Sequence, residues 1–77
     1  MAFTVIYTGI LADKAGKSEE QFLKTGLKSS VLESVLEKHP EFRELSFVVS
    51  HNGVITHGES RIANGDRLTL IPPAPGG

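Results

Sequence analysis

The chain has 77 residues, one small domain near the lower limit at which a core holds without covalent help. It contains no cysteine, which excludes disulfides and thiolate metal sites and leaves no side-chain thiol for sulfur chemistry. Eight Lys and Arg against nine Asp and Glu give a formal net charge of −1, without the basic patch that nucleic acid requires. No apolar run approaches the ~18 residues of a membrane span, and no charged segment leads into an apolar one at the N-terminus. The expectation is a cytoplasmic protein without nucleic-acid or membrane partners.

Phe3-Thr4-Val5-Ile6-Tyr7-Thr8 is rich in β-branched and aromatic residues and reads as a first strand. The stretch from Gly9 to Lys17, punctuated by Gly9 and Gly16, reads as a loop or short turn. Residues Glu20 to Lys24 form a second strand, closed by Thr25-Gly26. A helix follows, with Leu27, Val31, Leu32, Val35 and Leu36 spaced along one buried face. Its start is marked by Ser30 and Glu33 in a capping-box pattern, or by Ser29, and Pro40 stops it. Its polar side, Lys28, Glu33, Glu37 and Lys38, reads as a solvated face.

Leu45 to Ser50 is the next strand, and Asn52-Gly53 is the strongest short hairpin signal, returning the chain through Val54-Ile55-Thr56. In such a two-residue turn His51 pairs with Val54. Asn64-Gly65-Asp66 makes a further turn into the last strand, Arg67 to Ile71. Here Leu68 and Leu70 share the core face, while Thr69 and Ile71 share the other. Strands segregated around one helix give an α+β layout. The domain is expected over 1–71, with 72–77 an extended tail.

That tail reads Pro72-Pro73-Ala74-Pro75-Gly76-Gly77. Pro72, Pro73 and Pro75 fix φ and favour polyproline II, so six residues reach roughly 18 Å at about 3.1 Å each. A glycine without Cβ lets a narrow channel close on the backbone, so Gly76 suits delivery of a Gly77 carboxylate into another protein's active site. At a pKa of about 3.3–3.7 that carboxylate is ionised and a poor electrophile, so a partner has to activate it, as an acyl-adenylate made with ATP. The chain is then cargo rather than catalyst.

The other residues carry little chemistry. His39, His51 and His57 do not fall at metal-ligand spacing and read as solvated, and no metal is expected. No pair of carboxylates is spaced for acid–base work. Ile71 and Thr69, off the core face and beside the tail, read as contacts for a partner.

Asn52-Gly53, the run Ile62-Ala63-Asn64-Gly65-Asp66-Arg67-Leu68 and the ending Ile71-Pro72-Pro73-x-x-Gly76-Gly77 together resemble the ubiquitin-like sulfur carriers of the MoaD and ThiS type. The paired prolines before the diglycine most resemble the small subunit of molybdopterin synthase. The resemblance spans the chain in length and element order, with the specific identity in its last third. It implies a β-grasp fold: a mixed sheet packed on one main helix, with a flexible Gly-Gly tail. It implies that a ubiquitin-activating-type adenylyltransferase adenylates Gly77 with ATP, and that a desulfurase or rhodanese supplies sulfur for a thiocarboxylate. The large synthase subunit would take up the tail and pass the sulfur to a pterin precursor of the molybdenum cofactor. The chain itself would bind no cofactor. Members often carry an arginine in the loop after the first strand, where residues 10–16 here offer only Lys14. Two further readings stay open: a carrier for thiamine or cysteine synthesis or a protein modifier, and a β-grasp interaction module with an incidental diglycine.

Overall fold

The computed structural model describes residues 1–73, in the order β1 (Phe3–Tyr7), α1 (Ile10–Ala15), β2 (Glu19–Phe22), β3 (Gly26–Leu27), α2 (Lys28–Lys38), a 3-10 turn (Pro40–Glu44), β4 (Val48–His51), β5 (Val54–Thr56), β6 (Arg61–Ile62) and β7 (Arg67–Ile71). Gly76, Gly77 and Pro75 lie outside the described residues. Five strands form a mixed sheet in the order β2-β1-β7-β4-β5, and β3 pairs with β6 in a separate two-stranded sheet. At the sheet's centre β1 and β7 run parallel, Val5 beside Leu68 and Tyr7 beside Leu70, while the other neighbours are antiparallel. This is the β-grasp architecture, a mixed sheet with one main helix.

Period-2 alternation decides which way each central strand faces. Phe3, Val5 and Tyr7 of β1 and Leu68 and Leu70 of β7 are buried on one face, against Val31 and Val35 of α2, Leu11 of α1 and Phe42 of the 3-10 turn. The assignment of Leu68 and Leu70 to the core follows the expected pattern, as does the helical face of Val31 and Val35.

The hairpin also forms as its residues require. Asn52 (φ 51°) and Gly53 (φ 90°) both take positive φ, as a two-residue primed turn demands, and His51 pairs with Val54. Asn52 and Arg67 exchange backbone and side-chain hydrogen bonds at 2.8 Å. Asp66 accepts from the Ala63 amide at 2.8 Å, from His51 Nε2 at 2.8 Å and from Asn52 Nδ2 at 3.1 Å, which together hold its pKa down at about 2. The two turn motifs are thus tied to each other.

Several local expectations are corrected. The stretch after β1 is a helix, with Gly9 and Gly16 as its flanking caps and Leu11 as its buried anchor. Strand β2 ends at Phe22, leaving Leu23 and Lys24 exposed. Leu27 is the residue before α2, not part of its buried face, and is exposed. No serine side chain caps α2; Glu59, distant in sequence, accepts from the Ser29 amide at 3.0 Å and the Ser29 hydroxyl at 2.6 Å. Its carboxylate sits where the four unpaired amides of a helix start attract negative charge. Pro40 ends α2 but also opens the 3-10 turn that buries Phe42, which delays β4 to Val48. Lys28 is buried and donates to Thr56 Oγ1 at 3.1 Å, so it is not on a solvated face.

The largest departure concerns Glu20 and His39. Glu20 is on the core side of β2, 8% exposed, and accepts from the Tyr7 hydroxyl at 2.8 Å. His39 Nε2 lies 2.8 Å from the same oxygen, and Lys38 and Lys17 pair with the other. An ionised carboxylate only accepts, so Nε2 carries the proton. His39 also stacks on Phe42 and meets Tyr7 edge-on, so it is a buried structural histidine; His51 is held by Asp66, and only His57 of the three is exposed. Burial alone would raise the Glu20 pKa, but the bonds from His39, Lys38 and Tyr7 outweigh it and bring it down to about 2. Burial and the Glu20 carboxylate push the Tyr7 hydroxyl far above the usual tyrosine value.

A carboxyl whose pKa falls on folding stabilises the fold above its unfolded value and loses that contribution as pH drops toward the folded one. For Glu20 the window runs from 4.5 down to about 2. Glu20→Ala should cost about 3–5 kcal/mol at neutral pH by stranding its partners. Glu20→Gln should flatten the fall in stability across that acid window, as read by urea unfolding at stepped pH.

Candidate functional site at the root of the tail

Because β1 and β7 are parallel, both end at the same edge of the domain, where the chain passes from Ile71 into Pro72 and Pro73. Leu70 is fully buried one residue earlier, so the tail has a rigid root. The Thr8 hydroxyl donates to the Leu70 carbonyl at 3.0 Å and secures that end of β7 to the strand beside it. Gly9 follows with φ 55° and ψ −133°, turning its carbonyl to receive the amides of Ala12 and Asp13 at the start of α1. The bare Cα of Gly9 is covered by the Pro72 ring: a Cβ there would lie 3.0 Å from Pro72 Cγ.

Thr69 and Ile71 face away from the core, as their spacing from Leu68 and Leu70 requires, and both are half-buried. Strand pairing supplies their neighbours on that outer face. Thr69 stands between Ile6 of β1 and Ser50 of β4, with Ile55 of β5 beyond Ser50. Ile71 stands opposite Val48. The result is an apolar strip of Ile6, Ile55, Val48 and Ile71 around small hydroxyl residues, continuous with the tail's root. Ile6 was legible from the alternation that buries Phe3, Val5 and Tyr7. Val48 and Ile55 depended on the register. Pro72 is half-buried and Pro73 exposed; Pro75, Gly76 and Gly77 lie outside the described residues.

The polar clusters of Glu20 and Asp66 are tied into turns and core packing. Among the described residues no three His, Asp or Glu side chains converge as metal ligands, and no helix is long and apolar enough to cross a membrane.

The sequence matches the ThiS family over residues 5–77. This chain belongs to the ThiS family. Solved structures share the fold at low sequence identity. SAMP1 from Haloferax volcanii is 22% identical with a TM-score of 0.85, all of each chain being covered. Molybdopterin converting factor subunit 1 from Pyrococcus furiosus is 21% identical with a TM-score of 0.85, over 96% of this chain and 99% of that one. One chain of a complex of subunits 1 and 2 of the molybdopterin-converting factor from Helicobacter pylori 26695 matches at 20% identity and a TM-score of 0.73, over 100% of this chain and 100% of that one. No curated protein sequence matches the chain. The family match and the solved structures thus agree on a member of the ThiS family with the β-grasp fold.

The two faces of β7 give a check on this geometry. Leu70→Ala should cost about 2–5 kcal/mol by opening a cavity in the core. Ile71→Ala, on a half-buried outer position, should cost about 1 kcal/mol or less. Urea unfolding of the two variants measures both; equal losses would contradict the face assignment.

Proposed function

We propose that this protein is a sulfur carrier that acts through its Gly77 carboxylate, as the small subunit of a molybdopterin synthase. The observation that carries the reading is that the family match runs from the first strand through Gly77, so the tail belongs to the family pattern along with the domain. The neighbours from Pyrococcus furiosus and Helicobacter pylori support the molybdopterin assignment over thiamine or cysteine synthesis. Likeness to SAMP1 keeps a modifier role as the second reading.

In this mechanism a ubiquitin-activating-type adenylyltransferase binds the apolar strip of Ile6, Thr69 and Ile71 and draws the tail into its site. The Gly77 carboxylate attacks the α-phosphate of ATP, pyrophosphate leaves, and the acyl-adenylate becomes an electrophile. The terminal sulfur of a persulfide on a desulfurase or rhodanese attacks the acyl carbon and displaces AMP, giving an acyl disulfide with the donor cysteine. A second thiol then attacks the donor-side sulfur, forms a disulfide with it and releases the thiocarboxylate. A large synthase subunit, of the kind seen with subunit 1 in the Helicobacter pylori complex, then receives the tail and transfers the sulfur to a pterin precursor. The domain binds, presents and positions; ATP and the catalytic groups belong to its partners.

Removing Gly77, or adding one residue after it, should abolish ATP–pyrophosphate exchange while the melting curve stays parental, since the buried core of the described residues runs from Phe3 to Leu70. Gly76→Val should slow exchange with little change in stability, because a branched side chain meets walls fitted to bare backbone. Undiminished transfer by the chain lacking Gly77 would overturn the carrier reading.

A further inference from the structure

The Thr8-Gly9 turn touches the tail's root. Gly9 holds a positive φ that side chains rarely adopt, and an added Cβ would approach Pro72 Cγ at 3.0 Å and Cδ at 3.7 Å, the first too close for an ordinary contact. Among the described residues no other atom outside its chain neighbours comes within 4 Å of that position, so there the bare surface of Gly9 faces Pro72. The same residue starts α1, and Thr8 beside it holds the Leu70 carbonyl. One short turn therefore grips the end of β7 by a hydrogen bond and receives the first proline of the tail on a surface without a side chain.

We propose that Gly9 and Pro72 form a seat that sets the direction in which the tail leaves the sheet, making Gly9 a positioning residue for delivery of the C-terminus. The inference rests on the carrier reading. A carboxylate must enter a partner's site while the apolar strip of β7 is docked, so the angle at the root decides how often the two events coincide. Polyproline stiffness carries a direction outward but does not choose it. The choice falls to the first residue with a fixed φ that also touches the domain, which is Pro72; Pro73 is exposed. Thr8 keeps the strand end from fraying, and the missing Cβ of Gly9 keeps the ring in place.

The test uses the full chain in ATP–pyrophosphate exchange with an adenylyltransferase of the ubiquitin-activating type, varying the carrier concentration. Pro72→Ala should keep the parental melting temperature and a KM within about twofold, because docking through the strip is intact, and lower kcat roughly tenfold or more. Pro73→Ala removes an equally stiff residue outside the seat and should change kcat far less. In Gly9→Ala, assayed where it is folded, kcat should fall similarly. The Gly9→Ala/Pro72→Ala double variant should lose no more than the worse single one, since both break one contact. A parental kcat in Pro72→Ala, equal losses in Pro72→Ala and Pro73→Ala, or multiplying losses in the double variant would overturn the seat. A parent chain that supports no exchange would overturn the carrier reading, and the seat's role with it, which separates the two failures.

Discussion

Everything in this structure depends on the parallel pairing of the first and last strands. Thr4 to Tyr7 lie beside Arg67 to Leu70, more than sixty residues apart in sequence, at the centre of the sheet. Such a contact is costly in loop-closure entropy, and the burial of Val5, Tyr7, Leu68 and Leu70 offsets that cost. The consequence for function is directional. The strand that feeds the tail has a neighbour on each side, so the root of the tail moves only as the whole sheet moves.

The fold also divides its two faces by task. One face of β7 is consumed by packing on α2, leaving the other as a strip of Ile6, Val48, Ile55 and Ile71 around Thr69 and Ser50. Polar groups that look chemically able are committed elsewhere. Glu20 ties β2 to β1 and to the end of α2 through Tyr7, His39 and Lys38, and Asp66 ties the two turns together. Holding these carboxylates ionised well below their ordinary range keeps such bonds intact through neutral pH.

Much of this was legible in sequence, for reasons that can be named. Alternation marked β1 and β7, Asn52-Gly53 announced its turn, and Leu68 and Leu70 declared the core face because period 2 leaves them no other partner. What escaped was whatever depends on residues distant in the chain. Glu20 in a polar strand and His39 before a proline look solvated until Tyr7 and Lys38 are brought beside them. Glu59 as the cap of α2 has no local signature, and the serines at the helix start offered a nearer alternative. Gly9 and Gly16 read as loop markers in sequence, although they bound a helix whose one buried anchor, Leu11, is too little for a period to show. The chemistry proposed for the tail rests on residue type and order alone, whereas the approach of Pro72 to Gly9 required the structure.

The most direct test of the central claim is the intact mass of the full chain after incubation with ATP, a sulfur donor and a ubiquitin-activating-type adenylyltransferase. An adenylate on Gly77 is expected when sulfur is withheld. With sulfur present the chain should be heavier by the difference between one sulfur and one oxygen atom, with fragmentation placing the change at the C-terminal glycine. A chain that returns unmodified, or carries sulfur anywhere but Gly77, would contradict that claim.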